Sequence, residues 1–122
     1  MVLHDEIDLA PGKIRVKAGG GSAGHNGLKS IAQHFGVGFR RVRIGIGHPG
    51  EKNLVSGHVL RDFSKSDQDW VTQIIDLIAG AVPSLLRGED VEFMNILQLA
   101  RGSAQVEERN SKQGFIEKNE EN

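Results

Sequence analysis

Two short segments that alternate apolar and basic residues, with a glycine-rich stretch between them, constrain this fold more than any other feature. The first, residues 14–18, reads Ile-Arg-Val-Lys-Ala, and the second, residues 39–47, reads Phe-Arg-Arg-Val-Arg-Ile-Gly-Ile-Gly. Successive side chains of a strand point to opposite faces of the sheet. Both segments are therefore predicted to be strands with apolar residues on one face and cations on the other.

The other predicted elements complete an α/β order. They are a strand end over residues 1–3, a loop over residues 19–24, a helix over residues 27–35, a short segment of unassigned type over residues 54–60, a long helix from residue 66 to residue 88, and a last helix over about residues 90–100. Asn26 is expected to cap the first helix, and Pro83 to kink or end the long one. Two or three strands seldom bury their own sheet face, so the sheet resembles part of a larger one.

Composition excludes several classes of protein. Without cysteine, the chain has no disulfide scaffold, thiolate metal site or cysteine nucleophile. The spacing of His34, His48 and His58 does not suit a metal, so no metal site is expected. No apolar run approaches about 20 residues, so no membrane span is expected. The first six residues lack the pattern of a secretory signal, so a cytoplasmic location is expected.

Charge is unevenly distributed along the chain. Residues 1–61 hold nine Lys and Arg against four Asp and Glu, together with all five histidines. Residues 62–101 hold three basic against seven acidic residues, and residues 102–122 hold three against five. The first half is thus suited to face a polyanion. We expect residues 1–101 to form the domain and residues 102–122 to be a polar, disordered tail.

The basic residues of the two strands are spaced to share one face of a sheet. Arg15 and Lys17 are two residues apart on one strand, and Arg41 and Arg43 are two apart on the other. If the strands are neighbours, the four cations form a surface suited to phosphate. The alternative is an ordinary solvated outer face.

The glycine-rich loop and the histidines suggest chemistry, each with a structural alternative. Residues 19–24 match a dinucleotide-binding pattern, but no acidic residue follows before Glu51 to hold a ribose. His4-Asp5 and His25-Asn26 pair an imidazole with a carboxylate or amide, as general base catalysis requires. The alternative is that His25 is a helix-start residue bonded to backbone.

Three longer motifs resemble one family. They are His-Asp-Glu-Ile-Asp-Leu (4–9), Gly-Gly-Gly-Ser-Ala-Gly-His-Asn-Gly-Leu-Lys-Ser-Ile (19–31) and Phe-Arg-Arg-Val-Arg-Ile-Gly-Ile-Gly-His-Pro-Gly (39–50). Together they resemble bacterial peptidyl-tRNA hydrolase over about residues 1–101. The resemblance implies a three-layer α/β/α fold with a mixed twisted sheet, hydrolysis of the ester between peptide and tRNA, and no cofactor.

The resemblance also implies roles for individual residues. Asp5 matches the aspartate that supports the general base, His25 the active-site histidine beside the substrate-binding Asn26, and Lys17, Arg43 and, more weakly, Lys52 the residues that bind tRNA phosphate. Ser22-Ala23 departs from the His-Gly of many relatives.

The largest departure concerns the general base. In the family, that histidine and the first strands precede the Asp5 motif, and nothing in this chain matches them. The chain therefore resembles the C-terminal part of the enzyme with an incomplete sheet. We expect it to hydrolyse peptidyl-tRNA weakly or not at all by itself. The alternatives are a non-catalytic tRNA- or RNA-binding module and, from the glycine loop alone, a nucleotide-cofactor module.

Overall fold

A computed structural model describes residues 1–100 and contains one mixed three-stranded sheet. Its strands are β1 (Val2–Glu6), β2 (Ile14–Ala18) and β3 (Arg40–Gly45). The strand order is β1-β3-β2, with β3 parallel to β1 and antiparallel to β2. The α/β class predicted from the order of the elements and the mixed sheet implied by the family resemblance are confirmed.

The register of β2 and β3 places their basic residues on one face of the sheet and their apolar residues on the other, as predicted from the alternation. Arg15 lies opposite Arg43, and Lys17 lies opposite Arg41, so the four basic residues start from one face of the sheet. Val42, on the other face, is fully buried. The apolar face is thus packed, while the basic face carries two directly opposed like-charge pairs, an arrangement that is unfavourable unless the charges find other partners.

The helical elements follow the strands in chain order. They are α1 (Asn26–Phe35), a 3₁₀ turn (Lys52–Leu54), α2 (Val55–Leu60), α3 (Lys65–Leu86) and a last helical stretch, α4, over residues 90–100. The prediction that Asn26 caps the first helix is wrong. Asn26 is already helical, and the cap is His25, whose ring accepts a hydrogen bond from the backbone N–H of Leu28.

The turn between β1 and β2 is held tightly against β3. Gly45 closes β3, and a Cβ atom there would overlap the carbonyl oxygen of Ala10. The Gly12 N–H donates to the Gly45 carbonyl oxygen at 2.9 Å, and the Gly45 N–H donates to the Lys13 carbonyl oxygen at 2.7 Å. Only glycine fits this close approach of two backbones. The turn fixes the end of β1, where acidic side chains stand.

The long helix α3 begins with a reciprocal cap. The Ser64 hydroxyl accepts from the Asp67 N–H at 3.3 Å and donates to the Asp67 carboxylate at 2.8 Å. Pro83 lies inside α3 and does not end it early, since the helix continues to Leu86. In the described part of the chain, α3 is long and apolar enough, by length and composition alone, to cross a membrane. Core helices of soluble proteins meet the same criterion, so a single such helix is a weak indication.

The chain divides into two compact units, Met1–Ile74 and a second that begins at Ile75. Each has its own buried apolar side chains. These are Ile14, Leu28, Val42 and Ile74 in the first unit, and Ile78, Ala81, Leu85, Phe93 and Leu97 in the second. The predicted tail over residues 102–122 lies outside the described residues.

Candidate active site and anion-binding face

A pocket of about 790 Å³ lies within the first unit. Its walls are the end of β1, the glycine-rich loop, the start of α1, the basic face of the sheet and α2. It brings together five of the six site residues predicted from the sequence, namely Asp5, Lys17, His25, Asn26 and Arg43. Lys52 is exposed on the 3₁₀ turn and does not line the pocket.

His25 and Asp5 form the polar centre of the pocket. His25 Nε2 lies 2.8 Å from Asp5 Oδ1, and His25 Nδ1 lies 3.1 Å from the backbone nitrogen of Leu28. Because the Leu28 N–H can only donate, Nδ1 carries the lone pair and Nε2 carries the proton. The neutral ring therefore donates to the Asp5 carboxylate while it caps α1.

The cap at α1 has a chemical consequence. Both ring nitrogens of His25 are engaged, so no lone pair is left to take a proton from water. The Asp5 side chain is 42% exposed, and only its Oδ1 takes part in a hydrogen bond among the described residues. The open carboxylate oxygen can accept a further donor, which is how a carboxylate orients an imidazole or water.

His4 lies against this pair. Its Nδ1 is 2.8 Å from the carbonyl oxygen of Asp5, so Nδ1 is the protonated nitrogen. The His4 and His25 rings meet edge to face with centroids 5.4 Å apart. His4 Nε2 is buried and has no hydrogen-bond partner among residues 1–100. His4 therefore packs beside the His25–Asp5 pair without a hydrogen bond to either side chain.

Arg41 also lines the pocket, but its guanidinium is hydrogen-bonded to backbone. Its side chain is buried and donates to the carbonyl oxygens of Gly20, Gly21 (2.6 Å) and Val37 (3.3 Å). The guanidinium also lies over the Phe39 ring, 4.4 Å from its centroid. The expectation of a four-cation phosphate surface is therefore wrong at this position, because the hydrogen-bonding groups of Arg41 hold the glycine-rich loop.

Arg43 faces a carboxylate. Its Nε and one terminal nitrogen both lie 3.0 Å from Oε1 of Glu6, across the parallel pair of β1 and β3. The two side chains are 26% and 19% exposed, so the pair is half-buried at the pocket wall. One edge of the guanidinium is occupied, while its NH1 group has no protein partner in the described part of the chain.

Arg15 and Lys17 are the exposed cations of the basic face. Neither has an acidic partner among the described residues. The Lys17 ammonium folds over Gly20, where an added Cβ would come within 3.2 Å of Nζ. The backbone φ of Gly20 is +117°, so both conformation and space favour glycine at this position. The Lys17 ammonium thus lies beside the glycine-rich loop.

One wall of the pocket is apolar. Val55, Val59 and Leu60 of α2 line it, and Leu60 is largely exposed. The His58 ring lies 2.9 Å from the carbonyl oxygen of Gly47 and 3.1 Å from that of Ile46, which ties α2 to the end of β3. The pocket therefore combines a cationic wall, an imidazole–carboxylate pair and an apolar wall. Within residues 1–100, no three His, Cys, Asp or Glu side chains are grouped to hold a metal.

Sequence reasoning missed two of these contacts. The contact between Glu6 and Arg43 has no sequence signal, because 37 residues separate them and only the parallel pairing of β1 with β3 joins them. The burial of Arg41 carries no local signal, since it has the same strand period as Arg43. The capping role of His25 was available as the structural alternative, through its place one residue before the helix.

The fold and the pocket together define an α/β protein in which a basic sheet face adjoins an imidazole–carboxylate pair. The family model described as peptidyl-tRNA hydrolase matches residues 1–108, and the chain belongs to that family.

Similar proteins support the assignment. The chain is 58% identical over 101 residues to a peptidyl-tRNA hydrolase of Parvibaculum lavamentivorans and 57% identical over 99 residues to that of Bradyrhizobium diazoefficiens. These alignments cover 82% and 81% of this chain, and 49% of each relative. A crystal structure of the Acinetobacter baumannii enzyme matches with a TM-score of 0.69 at 47% identity, covering 78% of this chain and 48% of that one. The chain thus spans about half the length of the relatives it matches.

Proposed function

We propose that this chain supplies the tRNA-binding and ester-orienting part of a peptidyl-tRNA hydrolase site. In that reaction water attacks the carbonyl carbon of the ester and a base takes the water proton. The bond between that carbon and the ribose oxygen then breaks, and the ribose oxygen takes a proton to become a hydroxyl of the free tRNA. Family membership supports the reaction class. The observation that carries the proposal is that the His25–Asp5 pair and the basic face share one pocket.

The residues at the centre of the pocket suit the handling of an ester. Asp5 fixes the tautomer of His25 and keeps one carboxylate oxygen for a further donor. Asn26 follows His25 at the exposed start of α1, and its amide has both a donor and an acceptor for an ester carbonyl and a peptide N–H. We assign Asn26 to substrate binding and Asp5 with His25 to orientation of the reacting groups.

The basic wall suits the tRNA part of the substrate. Lys17 and Arg43 line the same pocket, and phosphate is the anion that a guanidinium and an ammonium bind best together. We assign both to tRNA phosphate and add Arg15, which lies opposite Arg43 on β2. Lys52 keeps a peripheral role, since it stands outside the pocket. Since peptidyl-tRNA arises in translation, we expect the chain to act in the cytoplasm.

The protonation pattern of His25 bears on activity. A general base needs a free lone pair, and the one on His25 accepts from the Leu28 N–H. We therefore expect this chain alone to hydrolyse the ester weakly or not at all. The same observation favours the second candidate, a tRNA-binding module without catalysis. A nucleotide-cofactor role gains no support, because His25 occupies the helix-start amide that a phosphate would use.

The test is binding and hydrolysis measured on the same preparation. The purified chain is mixed with an N-blocked aminoacyl-tRNA, and release of the blocked amino acid is followed beside the full-length Parvibaculum relative. We expect salt-dependent tRNA binding and hydrolysis at least a hundredfold slower than for the relative, on the order of the loss that follows removal of a catalytic base. Absence of tRNA binding at low salt would exclude both candidates. Hydrolysis at the rate of the relative would show that His25 or another residue of this chain acts as the base.

A further inference from the structure

We propose that Glu6 sets the anion affinity of the basic face by occupying one edge of Arg43. Glu6 is then a specificity-determining residue that makes binding depend on a ligand whose phosphates reach Arg15 or Lys17 as well as Arg43. This inference rests on the proposed function, because it concerns how the same face binds tRNA.

The first argument is the geometry of the ion pair. Both Arg43 contacts go to one oxygen, Glu6 Oε1, at 3.0 Å, and they use the Nε edge of the guanidinium. A guanidinium has a second edge, formed by its two terminal nitrogens, with which it can grip a phosphate. Arg43 therefore keeps a binding edge that points away from Glu6, but its charge is already balanced.

The second argument is the charge count on the face. Arg41 is buried on backbone carbonyls, and Arg43 is balanced by Glu6. Of the four cations on the sheet face, two, Arg15 and Lys17, remain exposed without an acidic partner among the described residues. An isolated phosphate at Arg43 would meet a guanidinium whose charge Glu6 already balances, whereas phosphates that reach the neighbouring strand would also meet one or two cations without an acidic partner.

The third argument concerns why a carboxylate stands there at all. Arg15 lies directly opposite Arg43, and like charges in that position repel. Glu6 relieves this repulsion without covering the outer edge of the guanidinium. A structural role alone predicts that removal of the Glu6 charge destabilises the fold and leaves tRNA affinity unchanged or weaker. The specificity role predicts tighter binding.

The test uses Glu6→Gln, which preserves shape and leaves an amide oxygen to accept from Arg43, but removes the negative charge. Affinity for deacylated tRNA is measured by fluorescence anisotropy at several salt concentrations. We expect about fivefold tighter binding at low salt, comparable to one half-exposed charge pair. We also expect the slope of log affinity against log salt to steepen by up to about 0.7–0.9, because Arg43, no longer balanced by Glu6, then contributes its full charge to its phosphate contact.

A matched variant separates a local from a global charge effect. Asp76→Asn removes one negative charge from the exposed surface of α3, on a residue that does not line the pocket. It is expected to leave both affinity and salt slope within error of the parent. A tightening equal to that of Glu6→Gln would overturn the proposal, since net charge alone would then explain both.

A third variant makes the result independent of folding effects. Glu6→Gln is combined with Arg43→Gln, and the double variant is compared with Arg43→Gln alone. If Glu6 acts through Arg43, these two proteins should bind tRNA with the same affinity. If the parent binds tRNA and Glu6→Gln binds equally or more weakly, the inference fails while the proposed function stands. If only Glu6→Gln binds, the inference holds and tRNA binding by the parent fails. If neither binds, both are wrong.

Discussion

Two regions of the basic face hold the same residue type in opposite ways. At the glycine-rich loop, Arg41 is buried and its guanidinium bonds three backbone carbonyls. At the end of β1, Arg43 is half-exposed and its guanidinium pairs with the carboxylate of Glu6. The two arginines are two residues apart and share one face of β3, so strand period alone does not separate them. The groups that surround each guanidinium decide whether it stabilises the fold or is available to bind a ligand.

The largest effect should come from the buried arginine. Arg41→Met keeps much of the stem but leaves buried carbonyl oxygens without donors, each of which costs about 1–3 kcal/mol. We expect the free energy of unfolding in urea to fall by about 2–4 kcal/mol. Arg15→Met, on the exposed side of the same face, is the control and should change it by less than about 0.5 kcal/mol. If both variants lose equally little free energy of unfolding, Arg41 does not stabilise the fold more than an exposed arginine of the same face, and the contrast between the two regions is wrong.

A smaller effect is expected at the helix cap that borders the glycine-rich loop. His25→Ala removes the acceptor for the Leu28 N–H, and loss of a cap costs about 1 kcal/mol. His25→Asn restores a cap acceptor but not the imidazole, so it should recover most of the stability. Thermal unfolding of the three proteins checks this. If Asn fails to recover stability, the bond to Asp5 rather than the cap is what His25 contributes.

At the other region, substitution of the arginine should change binding more than stability. Arg43→Gln breaks a half-exposed ion pair, which is worth about 0–1 kcal/mol of unfolding free energy. We expect a several-fold loss of tRNA affinity and a shallower salt slope by about 0.7–0.9, since one phosphate contact is lost. A stability loss as large as that of Arg41→Met, with unchanged tRNA affinity, would contradict the assignment of Arg43 to the ligand.

The smallest effect is expected at Asp67, a carboxylate outside the basic face. Its hydrogen-bond donors are uncharged, whereas Glu6 is paired with an arginine. Hydrogen bonds from Trp70 and then Ser64 hold the pKa of Asp67 below its ordinary value of 3.8. The folded state therefore favours the charged form, and this stability is present above pH 3.8 and is lost as pH falls through the lower folded pKa. The melting temperature of Asp67→Asn should lie slightly below that of the parent at pH 6, and the gap should close in strong acid. A gap that stays constant with pH would contradict this.

How far the sequence predicted the site depends on the range of each interaction. The strands β2 and β3 followed from apolar and basic alternation, and their shared basic face followed from period two. The helix α2, over Val55–Leu60, has no sequence signal, because six residues hold too little periodic pattern. The cap of α1 lies one residue before the predicted Asn26, since asparagine is the commoner cap residue type and only the structure shows the His25 ring at the Leu28 N–H.

The sequence by itself determined the face on which each strand residue stands, the uneven charge along the chain and the motifs that resemble the family. These features depend only on residues close together in the sequence, because the period of a strand or helix sets which of them share a face. Only the tertiary structure decided the partners of the two arginines. Arg41 meets Gly20 and Gly21 because the loop folds back over β3, and Arg43 meets Glu6 because β1 pairs with β3 in parallel register. Hydrogen bonds act over about 3 Å, so contacts between residues 20 or more positions apart exist only once the chain has folded.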